Sequence, residues 1–431
     1  MKQLLLILLS ILFIQEIKAK SYEGYKVYKL KPENINHDKI IEYLQEDSIF
    51  YFLDEGQIES GKPIDVMIEQ QYQNYFENML EKNKFKFDVL VDNVEKVLEQ
   101  ERLDQRLTRT SGLGQVTFNS YMYYSEQMAY LHRLGRDYPE IVAILKLGES
   151  YEGRDITALR LSSGPSTDPS KTKPVIFIDA GIHCREWIAP AVALYIIQQL
   201  VENPQNALFY QNVDWDIVPN LNPDGYEYTQ REDRLWRKTR RPNPNQPNYC
   251  MGTDLNRNFD HYWMYAGASS NPCSEIYAGP EAFSESESRA IRDYFLANGE
   301  TIKLYLSFHS YVSMVLYPWG YASTLPEDHE ELQRLGELAA DAIHRSTTIN
   351  SRYTVNTSTL ALGPGAGGSD DWVKGVANVS LAYCFELPHG DSPFPFLFPA
   401  RQLFAAVRET FEAIKVYHQY IENKFWNNNN Q

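Results

Sequence analysis

An imidazole and a carboxylate stand three positions apart in Gly181-Ile182-His183-Cys184-Arg185-Glu186-Trp187, directly after the apolar run Pro174-Val175-Ile176-Phe177-Ile178-Asp179-Ala180. The run reads as a strand, which puts both side chains at its C-terminal end, where open α/β sheets gather their sites. A nitrogen and an oxygen ligand, with a third from elsewhere in the chain, make a catalytic zinc site with one open position. His309 follows the strand-like Lys303-Leu304-Tyr305-Leu306-Ser307-Phe308 and can be that third ligand. Glu386 ends the strand-like stretch from Val379 to Phe385 and can serve as general base for a water at the metal. His-x-x-Glu alone is a weak signal that equally describes an ordinary pair at a strand end. Four such residues, each closing a strand, are harder to explain structurally.

The elements that must carry these residues follow from periodicity. From Phe118 onward the pattern is α/β, with helices from Tyr124 to Tyr138, Ala189 to Val201, Glu285 to Leu296, Glu330 to Thr347 and Arg401 to Tyr420. Strands alternate with them at Val175, Asp214 to Val218, Lys303 to Phe308 and Val379 to Phe385. The expected fold is α/β, a mixed twisted sheet flanked by helices, spanning residues 110–425. Before it, strand-like Tyr25 to Leu30, Ile64 to Ile68 and Phe87 to Val91 alternate with helical Asp38 to Tyr43 and Val94 to Glu101. This mixture predicts a small α+β domain over residues 20–109. It closes at Arg102-Leu103-Asp104-Gln105-Arg106-Leu107-Thr108-Arg109-Thr110-Ser111-Gly112, which reads as an exposed linker that a trypsin-like protease could cut. Residues 426–431, ending in Asn427-Asn428-Asn429-Asn430-Gln431, read as a disordered tail.

With 431 residues there is room for one large domain and one small. Met1-Lys2-Gln3, an apolar core from Leu4 to Ile14 too short to span a bilayer, and the small Ala19 predict a secretory signal peptide over residues 1–19. A net charge of −16, spread along the chain, argues against nucleic acid as a partner. No later apolar run is long enough to span a membrane, so a soluble, extracellular monomer is expected. The four cysteines permit three pairings. Cys250 and Cys273 flank one loop-rich stretch, which favours that pair; Cys184 and Cys384, each beside a candidate site residue, are left either bridged or free. Asn356-Thr357-Ser358 and Asn378-Val379-Ser380 are glycosylation sequons, and the second, placed against a core strand, reads as the poorer acceptor.

From Phe118 to Tyr420 the chain resembles the funnelin-type zinc metallocarboxypeptidases of the pancreatic carboxypeptidase A and B group. The resemblance rests on Gly181 to Trp187, Asn220-Leu221-Asn222-Pro223-Asp224-Gly225-Tyr226 and Leu235-Trp236-Arg237-Lys238-Thr239-Arg240. It continues through Asp254-Leu255-Asn256-Arg257-Asn258-Phe259, Ser307-Phe308-His309-Ser310-Tyr311, Gly367-Gly368-Ser369-Asp370-Asp371-Trp372 and Phe385-Glu386-Leu387. It implies a zymogen whose amino-terminal domain is inhibitory, cut by a trypsin-like protease at Arg109 or Arg106. It implies one zinc ion on His183, Glu186 and His309, and peptide or protein C-termini as substrates. Asn256 and Arg257 would hold the terminal carboxylate, where a planar guanidinium binds bidentately. Arg237 would stabilise the oxyanion. Arg185, Ser310 and Tyr311 would line the approach for upstream residues, and Cys250–Cys273 matches the family's disulfide.

Asp370 decides specificity on this reading. Family members that remove Lys or Arg carry an acid here, because a buried carboxylate pairs with an incoming cation and is left unpaired by an apolar side chain. The alternatives are a carboxypeptidase of apolar or broad preference, or a zinc-containing peptide-binding homologue of poor activity. The second rests on one departure: the loop tyrosine usual in the family falls at Gly363, within Leu362-Gly363-Pro364-Gly365-Ala366-Gly367-Gly368, which contains no hydroxyl.

Overall fold

The computed structural model describes residues 19–45, 49–53, 61–109, 112, 114–166, 168–247 and 250–427. Most of the expected signal peptide, residues 1–18, lies outside them. The amino-terminal unit comprises β1 (Lys26–Lys31), α1 (Ile35–Gln45), β2 (Phe50–Phe52), β3 (Ile64–Ile68), α2 (Gln70–Lys82) and β4 (Lys86–Val91), followed by α3 (Val94–Thr108). Its strands form an antiparallel sheet in the order β2-β3-β1-β4. Tyr28, Leu30, Val66 and Ile68 of the sheet bury against Ile41 and Leu44 of α1 and Phe76 and Leu80 of α2.

The larger unit contains α4 (Tyr124–Asp137), β5 (Val142–Glu149), β6 (Asp155–Leu161), β7 (Val175–Ala180), α5 (Ile188–Val201), β8 (Asp214–Val218), α6 (Pro223–Arg231) and α7 (Ser286–Asn298). It continues with β9 (Ile302–Tyr317), α8 (His329–Ser346), β10 (Thr354–Thr357), α9 (Ser358–Leu362), α10 (Ser369–Gly375), β11 (Leu381–Pro388) and α11 (Ala400–Ile421). The mixed seven-stranded sheet runs β10-β9-β7-β8-β6-β5, with β11 also paired to β9. Alternation sorts its side chains. Ile176, Ile178, Leu304 and Leu306 face α5, α8 and α11, whereas Val175, Phe177 and Tyr305 face α7 and α10. Strands apolar on both faces belong in such a three-layer core.

β7 and β9 are parallel, with Ala180 opposite Phe308. On β11, Glu386 has both His309 and Met314 as register partners, so β9 folds back around it, turning at Ser313, whose φ is +55°. This register places the C-terminal ends of β7 and β11 beside the middle of β9, where His309 sits.

Three departures from the sequence reading have physical causes. The stretch read as an exposed linker is helical to Thr108, because Asn93 caps α3 and Leu98 buries under the domain, so the helix carries on through Arg102 and Arg106. Strands β5 and β6 lack clean alternation, with β5 half-buried, and give little period-two signal. In the expected tail, residues up to Asn427 continue α11 as a turn of wider helix, with the Trp426 carbonyl accepting from Lys171 Nζ at 3.2 Å; residues 428–431 lie outside the described ones.

Candidate active site

His183 and Glu186 sit on the turn between β7 and α5. The turn opens at Gly181, whose φ of +73° suits glycine; an added Cβ would come 3.1 Å from Asn220 Oδ1 and 3.3 Å from a ring carbon of Pro190. Glu186 N then donates to the His183 carbonyl at 3.2 Å, which brings the two side chains together. His183 Nδ1 lies 3.0 Å from Glu186 Oε1, and His309 Nδ1 lies 3.2 Å from Glu186 Oε2 and 3.1 Å from His183 Nδ1. All three side chains are buried.

The outer ring nitrogens explain why the inner ones face each other. His183 Nε2 is 3.1 Å from Asp254 Oδ1, and His309 Nε2 is 3.1 Å from Ser307 Oγ, which itself donates to Asp179 Oδ1 at 2.7 Å. Both Nε2 atoms therefore carry the proton as donors, leaving two Nδ1 lone pairs and a carboxylate converging on one point. Such a cluster calls for positive charge at its centre, supplied by a proton or by a metal ion. The donor set of two imidazoles and a carboxylate is that of a catalytic zinc site, and the residues fit that ion. Burial would raise the Glu186 carboxyl, but the two imidazoles prevail and hold it at about 2. Burial opposes a charge on His183, yet with no metal bound Glu186 and Asp254 lift it to about 9, so Nδ1 carries a second proton that zinc would replace.

Two carboxylates that the sequence patterns do not single out complete the centre. Asp254 caps the short turn Leu255–Arg257, accepting from Asn256 N at 2.9 Å, and links His183 to Arg237, whose Nη2 donates to it at 2.8 Å. Burial would raise Asp254, but Arg237 and His183 overcome it and hold the carboxyl well below the usual carboxylate range. Asp179, raised to about 6 by burial, accepts from Ser307 and Tyr305. An acid inside the apolar run of β7 and an acid heading Asp-Leu-Asn-Arg are the signals that could reveal them.

Glu386 lies at the same rim and is buried; burial, followed by the charge of Glu186, raises its carboxyl to about 8. Beside it opens a cavity of about 50 Å³, lined among others by Asn256, Arg257, Leu316, Leu362, Gly363, Asp370 and Glu386. Asn256 Oδ1 accepts from Ser369 N at 3.0 Å, and Arg257 is aimed by bonds from Nε to the Gly267 carbonyl at 2.7 Å and from Nη1 to the Asn256 carbonyl at 2.9 Å. The two adjacent acids separate by environment. Asp371 is occupied by Gly320 N at 2.8 Å and Tyr321 N at 2.9 Å, whereas Asp370 lines the cavity with Ser358 Oγ 3.4 Å away. Burial raises the Asp370 carboxyl.

The loop over this cavity is pinned by its backbone. Gly365 N donates to the Gly320 carbonyl at 2.7 Å and Ala366 N to the Ala266 carbonyl at 2.8 Å. Gly363 has φ +84° and ψ 171°, a region essentially closed to other residues. A tyrosine could not stand there without strain, so the departure at this position belongs to the loop's whole conformation.

Arg185 and Tyr311 lie to the other side, both against Phe396, the guanidinium 4.0 Å from its ring centre; Arg185 Nη1 also meets Glu275 Oε2 at 3.3 Å. Ser310 is buried and its amide donates to Glu186 Oε2 at 3.2 Å. The amino-terminal unit covers this side. Tyr22, Val27, Leu53, Met67 and Leu98 share a core with Leu235, Phe394 and Phe396. Glu101 of α3 takes Arg234 bidentately at 2.7 and 2.9 Å, and Tyr22 OH donates to Asp233 at 2.6 Å. Arg109, just past α3, pairs with Glu126 at 2.7 Å and covers the Tyr123 ring, while Arg106 is exposed in the last turn. Cys250 and Cys273 form a disulfide. Cys184 and Cys384 are unbridged and buried, with Cys184 Sγ 2.9 Å from the Trp236 carbonyl and Cys384 Sγ 4.0 Å from Glu386 Oε1.

Comparison with known proteins bears on this geometry. A family described as zinc carboxypeptidase matches residues 127–413, and one described as carboxypeptidase activation peptide matches residues 28–101. Carboxypeptidase B of Astacus astacus is 43% identical over 311 residues, 72% of this chain and 99% of that protein. Zinc carboxypeptidase A 1 of Drosophila melanogaster is 35% identical over 425 residues, 96% of each chain. The crystal structure of carboxypeptidase A from Helicoverpa armigera superposes with a TM-score of 0.87 at 33% identity, covering 94% of this chain and 98% of that one.

Proposed function

The chain belongs to the zinc carboxypeptidase family, and we propose that, once its amino-terminal domain is cut away after Arg109, it removes Lys or Arg from the C-termini of peptides. Its relatives carry both A and B names, so the preference is argued from Asp370 rather than from kinship. The observation that carries the reading is a buried carboxylate on the wall of the cavity shared by Asn256, Arg257 and Glu386.

His183, Glu186 and His309 would hold the zinc, which supplies Lewis-acid polarisation of the scissile carbonyl when bound. Arg257 and Asn256 bind the substrate's terminal carboxylate, which confines cleavage to the last peptide bond. Its side chain then enters the cavity, where an ammonium or guanidinium meets Asp370. Arg237, fixed by Asp254, donates to the oxygen that gains negative charge at the attacked carbonyl. The Glu386 carboxylate takes a proton from the attacking water and returns it to the departing amine. Arg185, Ser310 and Tyr311 border the approach for upstream residues, on the side that residues 20–109 cover in the proenzyme. The charged start, short apolar core and Ala19 support secretion, and no helix among the described residues is long and apolar enough to cross a membrane.

The test is tryptic activation followed by parallel assay of blocked dipeptides ending in Arg and in Phe, for the native chain and for Asp370→Leu. Arg release should exceed Phe release by about 100-fold and the order should invert in the variant. Phe preference in the native enzyme would discard the basic specificity. The pinned, hydroxyl-free loop at Gly363 favours a second reading, a zinc-loaded peptide binder; it requires silence on both substrates with zinc bound.

A further inference from the structure

Two sequons lie in the larger unit, at Asn356 and Asn378, and their surroundings are opposite in kind. Asn356 is in β10, opposite Leu316 of β9, and its own Oδ1 accepts from Thr357 N at 2.9 Å. The hydroxyl of its sequon, on Ser358, is turned toward the Tyr317 carbonyl at 3.5 Å and Asp370 Oδ2 at 3.4 Å, on the cavity wall. A glycan rooted there would crowd the loop that closes the cavity.

Asn378 occupies the turn between α10 and β11. It is exposed, beside exposed Gly375 and Val376. The turn is held by its backbone, with Val376 N donating to the Trp372 carbonyl at 2.8 Å and Val379 N to the Val373 carbonyl at 3.1 Å. Asn378 has φ +57°, a left-handed conformation that asparagine tolerates and that throws its side chain outward from the end of a helix. Among the described residues, the amide is engaged by a single 3.4 Å bond to the Val376 carbonyl. The sequon runs into β11 at its N-terminal end, whereas the site lies at the C-terminal ends of β7 and β11 and the middle of β9. From Leu381 to Glu386 the strand climbs about 17 Å, so a glycan on Asn378 hangs from the edge of the sheet opposite the reaction.

We propose that Asn378 carries an N-linked glycan and Asn356 does not, which reverses the ranking that the sequence alone suggests. A surface turn accommodates so bulky and hydrated a group, and an edge strand beside the cavity does not. The inference rests on the reading that the protein passes through the secretory route.

The full chain is expressed in insect cells twice, behind its own leader and behind the leader of an unrelated secreted protein. The secreted product is treated with peptide N-glycosidase and mapped by mass spectrometry. Because Asn378→Gln also strains a left-handed turn, the decisive variant is Ser380→Ala, which leaves Asn378 in place; Asn356→Gln is its counterpart. A single glycosidase-sensitive shift that is lost in Ser380→Ala and kept in Asn356→Gln, with turnover of the deglycosylated enzyme unchanged, supports the proposal. Secreted protein with no shift, a shift lost only in Asn356→Gln, or glycans at both positions overturns it. Secretion from the foreign leader alone would reject the secretory reading and still leave the Asn378 result legible.

Discussion

Glu386 stands at the rim of the metal cluster rather than in it, yet its charge is governed by burial and by that cluster. On the proposed reading it handles the proton and does not hold the metal. Glu386→Gln should therefore lower kcat by about 10³-fold while zinc content, measured by atomic absorption, stays at that of the native protein. A second buried acid makes a prediction far from the chemistry. Glu287, in the first turn of α7, is buried beside Glu285, and burial with that neighbour raises its carboxyl to about 8. The unfolded chain titrates this group near about 4.3. Between those values the folded state binds more protons than the unfolded, so this acid's contribution falls as pH rises from roughly 5 to about 8. Urea denaturation across that range should show Glu287→Gln flattening the decline; an unchanged slope would remove Glu287 as its cause. At this scale the site is largely legible in the sequence, because a ligand type at a strand end is a local pattern. Asp254 is less so: its importance lies in joining His183 to Arg237, which are far apart in sequence.

Long, strongly patterned helices such as α8 and α11, and strands with apolar residues on both faces such as β7, are read correctly from periodicity. β10, α9 and α10 are short and defined by contacts around the cavity, so no window of sequence contains their signal. α3 misleads for a different reason. Its last two turns are polar and rich in arginine, as a linker would be, and they are helical because the first turns are anchored by a cap and a buried Leu98. On the proposed reading, that anchoring lets α3 serve as a latch. Glu101 and Arg234 form a bidentate pair with side-chain exposures of only 11% and 6%. In Glu101→Ala the guanidinium would keep the Arg185 and Phe396 carbonyls and lose this carboxylate, weakening the grip of the amino-terminal unit by roughly 2 to 3 kcal/mol. After limited tryptic cleavage, activity should appear sooner in this variant than in the native proenzyme; equal lag times would rule the latch out.

For the whole molecule, the metal and the fold are coupled. The converging nitrogens of His183 and His309 are tolerated because β7, β9 and β11 are locked in register by a continuous core on both faces. Zinc binds only where the fold brings these ligands together, so chelation should lower Tm by roughly 10 °C as well as abolish activity. Calorimetry with and without chelator reads this directly, and a Tm unmoved by complete zinc loss would show that the metal adds nothing to the stability of the fold. The two units also differ in how far sequence describes their union. Each core is visible as apolar periodicity, but the third core that joins them draws single residues from distant segments, such as Tyr22, Leu98 and Phe396.

On the proposed reading, in which maturation cuts after Arg109, that residue gives the proenzyme a clock. Its guanidinium is held by Glu126 and laid on the ring of Tyr123, both from the larger unit. A protease cutting there would have to wait for this side chain to come loose, so the pace of maturation would be set partly by a contact that dissolved ions weaken. At about 0.5 M salt, where the screening length is only a few ångströms, the wait shortens. Glu126→Gln should mature at one speed in dilute and concentrated salt alike, and the difference between it and the native chain is the length of the delay.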